Sequence, residues 1–180
     1  MTRILFLLTV LILLLGFFLQ SNIYLLKKEA PIQSAQRKLL VTLAIEALKT
    51  KEVPVSSILT FNGKIIGKGY NTVLKDTNVG GHAEINAISD AIKNIGFQNF
   101  NQLNRDSLKL ITTYEPCMMC KGAIIENRIT TIEFIKEKEL LHWVKNNLKA
   151  LRYEIRKQKI NENSLQDSLF LLHPNYVNED

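Results

Sequence analysis

The chain opens on an apolar block. From Ile4 to Leu19 only Thr9 and Gly16 interrupt the hydrophobic side chains, and no charge stands between Arg3 and Lys27. As a helix that block rises about 24 Å, short of a ~30 Å hydrocarbon core. Continuing through Gln20, Ser21 and Asn22 to Leu26 gives 23 uncharged residues, enough to span, with Tyr24 at one interface ahead of Lys27 and Lys28. The pattern predicts an N-terminal membrane anchor within residues 1–28. A cleaved signal peptide is the competing reading, but Leu19-Gln20-Ser21 is a poor cleavage site. Lys27, Lys28, Arg37 and Lys38 outnumber Arg3 and the α-amine, which implies a single-pass protein with its remaining domain in the cytoplasm.

Beyond Ala30-Pro31 the pattern becomes that of a globular domain. Gln36–Lys49 places Leu39, Leu40, Leu43, Ala44, Ala47 and Leu48 at helical spacings. Val53–Thr60 and Lys64–Tyr70 read as strands, and Asn62-Gly63 between them suits a type I′ hairpin turn. Asn71–Gly81 is a loop, His82–Ile95 a helix ended by Gly96, and residues 97–106 a polar connector. Leu108–Thr113 reads as a strand, Cys117–Asn127 as a short helix with Pro116 at its first position, Thr130–Ile135 as a strand and Lys136–Lys149 as a helix. Leu151–Arg156 alternates in the manner of a fifth strand. Strand, helix, strand near the end implies a right-handed crossover and a parallel pair. The elements add up to an α/β fold, a three-layer α/β/α sandwich on a mixed five-stranded sheet, preceded by one transmembrane helix. The domains expected are an anchor over 1–28, a globular domain over 29–159 and a tail over 160–180.

Composition and charge narrow the classes. With 46% hydrophobic and 22% charged residues, a disordered or low-complexity chain is excluded, and two cysteines cannot staple a small secreted fold. The net charge of +6 falls to +3 once residues 1–28 are set aside, so the basic excess is weak evidence for a nucleic-acid partner. Lys136–Lys159 holds eight basic and three acidic residues and suits an RNA backbone, an anionic lipid surface or plain solvent alike. Residues 160–180 hold four acids and no Lys or Arg.

The chemistry concentrates in few residues. Cys117 and Cys120 are the only cysteines, spaced so that both thiols share one side of a helix start, where the positive helix end favours thiolates. Two thiolates need a third ligand to make a zinc site, and a catalytic site keeps its fourth position for water. Of His82, His142 and His173, only His82 opens a helix and is followed by Ala83 and Glu84. Mid-helix, residues two apart point about 200° away from each other. His82 and Glu84 therefore converge on one point only at the helix's N-terminal end. Trp143, with Leu140, Leu141 and Val144, reads as packing, as do Met118 and Met119.

His-x-Glu at a helix start, then a strand, then Pro-Cys-x-x-Cys at the next helix start is a zinc-deaminase signature. The chain resembles the cytidine and deoxycytidylate deaminase superfamily, within it most closely the bacterial tRNA-specific adenosine deaminases. The resemblance is carried by Val53-Pro54-Val55, Gly69-Tyr70-Asn71, His82-Ala83-Glu84-Ile85-Asn86-Ala87, Glu115-Pro116-Cys117-Met118-Met119-Cys120, Gly122-Ala123-Ile124 and Arg128-Ile129, in family order. It implies that His82, Cys117 and Cys120 hold Zn²⁺, that Glu84 is the catalytic proton carrier, and that Asn71 and the Ala83 backbone contact the substrate. It further implies a hydrolytic nucleobase deaminase acting on adenosine in tRNA, and homodimerisation. The alternatives are a deaminase of a small free base, nucleoside or nucleotide of the guanine, cytosine or cytidine type, and a non-catalytic, membrane-anchored zinc scaffold.

Overall fold

The computed structural model describes residues 6–16, 31–158 and 163–172. The chain divides into two compact units, Met1–Lys136 and Glu137–Asp180.

In the first unit, residues 6–16 are helical (α1), and the apolar side chains Phe6–Leu8 and Val10–Leu15 are exposed. The expected membrane-spanning anchor, and with it the single-pass localisation, is corrected here. Among the described residues no helix is long and apolar enough to cross a membrane. The eleven described residues of α1 rise about 16 Å against a ~30 Å core. The extension through Gln20–Leu26 and the lysines after it lie outside the described residues.

The remainder of the unit is a sheet between helices. Helix α2 (Ser34–Lys49) is followed by the hairpin β1 (Ser56–Phe61) and β2 (Lys64–Tyr70). Helix α3 (Ala83–Ile95), the short α4 (Phe97–Gln102) and a 3₁₀ turn (Arg105–Ser107) lead to β3 (Leu108–Tyr114). Helix α5 (Met118–Glu126) then crosses to β4 (Thr131–Lys136). The strand order is β2-β1-β3-β4. β1 runs antiparallel to both β2 and β3, and β3 is parallel to β4. The sheet is mixed as expected, with its parallel pair across the α5 crossover. It has four strands rather than five among the described residues, because Leu151–Arg156 is helical.

Turn chemistry works as the sequence predicts. Asn62 at φ 49° and Gly63 at φ 78° both take the positive angles that a type I′ turn demands. One core packs α2 on one face of the sheet, through Leu40, Leu43, Ile58 and Ile111. The other joins Leu59, Leu108 and Leu110 to Ala87, Ile88 and Ala91 of α3 and Ile124 of α5. The connector expected over 97–106 is instead pinned by Phe100, which is wholly buried in that second core.

Helix α3 meets β2 at unusually short range. Ala83, Ala87 and Ala91, four apart, lie over Gly67 and Gly69. A Cβ on Gly67 would fall 2.2 Å from Ala87 O, and one on Gly69 would fall 2.4 Å from Ala83 O. A second stripe of α3 closes the outer edge of β2. Asn86 Nδ2 donates to Tyr70 O (2.8 Å), Lys68 N–H donates to Asp90 Oδ2 (2.9 Å), and Asn94 Nδ2 donates to Ile66 O (3.2 Å). Side chains here satisfy edge groups that would otherwise be open to another strand.

The second unit contains α6 (Leu140–Arg156) and α7 (Asn163–Leu171). α6 is longer than the helix expected over 136–149 because the apolar stripe Leu141, Val144, Leu148 continues through Leu151 and Ile155 at helical spacing. Residues 173–180 of the tail, with His173, lie outside the described residues.

Candidate metal centre

Two helix N-termini converge at one end of the sheet. His82 is the N-cap of α3, with extended backbone (φ −81°, ψ 148°), and its carbonyl accepts from Asn86 N–H at 2.9 Å. Cys117 is the N-cap of α5, and its sulfur accepts from Cys120 N–H at 3.5 Å. The helix therefore starts at Met118 rather than at Pro116. Pro116 precedes the cap, where an extended Glu115 is the conformation that a following proline favours.

The donor atoms form a tight triangle. His82 Nδ1 lies 3.7 Å from Cys117 Sγ and 3.5 Å from Cys120 Sγ, and the sulfurs are 3.4 Å apart. Tetrahedral zinc with ordinary Zn–S and Zn–N bonds requires S···S near roughly 3.8 Å and S···N near roughly 3.6 Å. The donor set and its spacing fit zinc with three protein ligands and a fourth position left for another group.

Electrostatics follow from burial and from the two sulfurs. The hydrogen bond they share draws the Cys117 thiol down to about 4, and with burial it pushes the Cys120 thiol up. The lowering at Cys117 favours the thiolate, the form that binds metal. Glu84, in the first turn of α3, is 3% exposed. Burial raises its carboxyl above the usual carboxylate range, against the opposing pull of hydrogen bonds from its own backbone N–H and from Cys120.

Asn71 and Ala83 come together as well. Asn71 Oδ1 accepts from Ala83 N–H at 3.0 Å, so the residue expected to meet substrate also caps the start of α3. Sequence reasoning missed the residues that hold the 71–81 loop. Glu52, 6% exposed, accepts from Leu74 N–H (2.5 Å) and Lys75 N–H (3.0 Å) through Oε1. Thr72 N–H donates to Gly81 O at 2.7 Å, and Asn86 Nδ2 donates to Thr72 Oγ1 at 3.0 Å. A Glu between Lys51 and Val53 carries no local signal of such a role. Ser57 was missed too. It is wholly buried in β1, and its Oγ has no hydrogen-bond partner among the described residues.

An α/β sandwich presenting one His and two Cys from two helix starts, with a buried carboxyl beside them, defines a zinc enzyme of the deaminase type. The family model of the cytidine and deoxycytidylate deaminase zinc-binding region matches residues 33–136, and the chain belongs to that family. It is similar to a tRNA-specific adenosine deaminase of Buchnera aphidicola (subsp. Schizaphis graminum), 36% identical over 67% of this chain and 80% of that one. Matches to two further proteins of that name cover about half of their own length. Among solved structures, one from a study of A-to-I editing by tRNA:A34 deaminases has TM-score 0.52 and 27% identity over 59% of this chain and 73% of that one. A guanine deaminase from Bacillus subtilis shares the fold, with TM-score 0.57 and 24% identity over 83% and 98% of the two chains. The chain is accordingly an enzyme, a hydrolytic nucleobase deaminase with zinc as its cofactor.

Proposed function

We propose that the substrate is adenosine within tRNA, deaminated to inosine, and that residues 29–159 are the catalytic domain. His82, Cys117 and Cys120 would hold the zinc, which when bound supplies a water made reactive near neutral pH. Glu84 handles the protons. As carboxylate it accepts one from the attacking water, and as carboxylic acid it delivers one to the ring nitrogen next to the amine-bearing carbon. Water adds at that carbon, Glu84 then takes the second proton from the new hydroxyl and passes it to the amine, the C–N bond breaks, and ammonia leaves behind a carbonyl. The upward shift of the Glu84 carboxyl is in the direction that suits a group that must both take and give a proton. Asn71 and the Ala83 backbone, tied to one another, would form one wall of the base pocket. Homodimerisation belongs to the same reading.

The observation that supports the reading most is the donor triangle with Glu84 buried beside it, in a chain 36% identical to a tRNA-specific adenosine deaminase. The test is ammonia release by the zinc-loaded full chain against tRNA, free bases, nucleosides and nucleotides, with Glu84→Ala as the blank. Release from tRNA that falls steeply as salt rises supports the proposal, because phosphate contacts are salt-sensitive. Release confined to a free base or nucleoside, indifferent to salt, would replace the substrate. Silence across the panel with zinc bound would replace the enzyme by a scaffold.

A further inference from the structure

Ser57 stands where a small apolar side chain would fill the space at no cost. Its neighbour Ser56 donates from Oγ to Leu40 O of α2 at 2.7 Å, so strand alternation turns Ser57 to the opposite face. That is the face of α3 and α5, where Leu59, two residues on, packs with Ala87, Ala91 and Ile124. Across the ladder Ser57 pairs with Gly69 of β2 and Thr112 of β3. A Cβ on Gly69 would lie 2.4 Å from Ala83 O and 2.5 Å from Ala87 N, so the first turn of α3 rests directly on this row. Glu84 belongs to that turn and is itself buried. A buried hydroxyl with no partner costs about 1–3 kcal/mol, and native folds satisfy such groups with protein or with ordered water.

We propose that Ser57 is a positioning residue for Glu84: its hydroxyl holds the carboxyl from the sheet side through one buried water. The row offers that water enough partners, since a buried water needs two to four polar groups. Thr112 Oγ1 donates only a long 3.3 Å bond to Ser56 O and keeps acceptor capacity beside Ser57. The proposal rests on Glu84 being the proton carrier. Ser57 touches neither substrate nor metal.

The experiment pairs kinetics with a crystal structure of the zinc-loaded full chain at a resolution that places waters. Ser57→Ala is expected to lower kcat about tenfold with KM within about twofold, as loss of an outer hydrogen-bonding partner does. Its zinc content should stay at the wild-type value and its melting point should stay level or rise. In the wild-type crystal a water should lie within hydrogen-bond distance of both Ser57 Oγ and a Glu84 carboxyl oxygen. An unchanged kcat in Ser57→Ala overturns the proposal, and so does a crystal in which Ser57 Oγ bonds only to strand carbonyls. If the wild-type chain releases no ammonia from any substrate, the functional reading fails. The crystal then still decides whether Ser57 holds Glu84.

Discussion

Replacing Gly69 by alanine tests whether the close seat of α3 on β2 is what builds the site. The new Cβ would lie 2.4 Å from Ala83 O, 2.5 Å from Ala87 N and 2.8 Å from Asn86 Cβ. Favourable contacts between such atoms start near about 3.5 Å, so the first turn of α3 has to lift by roughly 1 Å. Two of the three atoms are backbone, and no rotamer change relieves them. Overpacking of this kind costs about 1–3 kcal/mol. Each kcal/mol lowers Tm by about 2–4 °C in a chain of this size, so a drop of about 2–12 °C is expected. The lifted turn carries His82, Ala83 and Glu84, so zinc retention and activity should fall further than stability does. Gly122→Ala is the control. That glycine is exposed inside α5 with nothing within 4 Å of its would-be Cβ, and alanine there should stabilise by about 0.5–1 kcal/mol. The assay is a thermal melt of both zinc-loaded variants with zinc per chain measured by atomic absorption. A Gly69→Ala chain that melts with the wild type and holds zinc equally well would refute this role of the close seat, as would a Gly122→Ala chain that falls as far as Gly69→Ala.

Other perturbations follow from the same geometry. Cys120→Ser removes one corner of the donor triangle and puts a hydroxyl that does not ionise near neutral pH in place of the thiol. Zinc per chain after dialysis against a mild chelator should drop to near zero, and full retention would show that Cys120 is not a ligand. Asn71→Ala deletes the bond to Ala83 N–H and should cost about 0.5–2 kcal/mol, the usual value of an N-terminal helix cap; chemical denaturation reads it, and an unshifted midpoint would remove the capping role. Glu52→Ala leaves Leu74 N–H and Lys75 N–H without their carboxylate, and charged hydrogen bonds are worth about 1.5–3 kcal/mol. Faster proteolytic cleavage within the 71–81 loop is expected, and a wild-type digestion pattern would argue that the loop is held by other means.

How much of this was legible in the sequence depended on whether a signal was local. The hairpin was, because Asn62 and Gly63 are residues that tolerate positive φ. The donors His82, Cys117 and Cys120 were, because the chemistry fixes both residue type and spacing at two helix starts. Leu151–Arg156 was misread because Leu-Arg-Tyr-Glu-Ile-Arg alternates over six residues while also continuing an apolar stripe that begins at Leu141; only the longer window separates the two. The helix at Phe97–Gln102 was hidden by its polar composition, since a single buried ring, Phe100, decides it. The apolar N-terminal block reads as a span because hydropathy reports composition alone, whereas among the described residues no helix is long and apolar enough to cross a membrane. Glu52 and Ser57 were illegible for a different reason. Their roles depend on what lies across a loop or a ladder, and no period along the chain encodes that.

The edge of β2 is closed by a helix that keeps step with a strand. Four residues of helix advance about 6.0 Å, while two residues of strand advance about 6.6–6.8 Å. The two lattices are nearly commensurate, so Asn86, Asp90 and Asn94 meet Tyr70, Lys68 and Ile66 in turn. The three contacts measure 2.8, 2.9 and 3.2 Å along the row. Such a vernier has one best alignment. Sliding α3 by a single residue would swing every polar side chain off its rung, and the alanines off the glycines as well. The axial position of His82 and Glu84 is thereby indexed against the sheet by contacts up to three helical turns away.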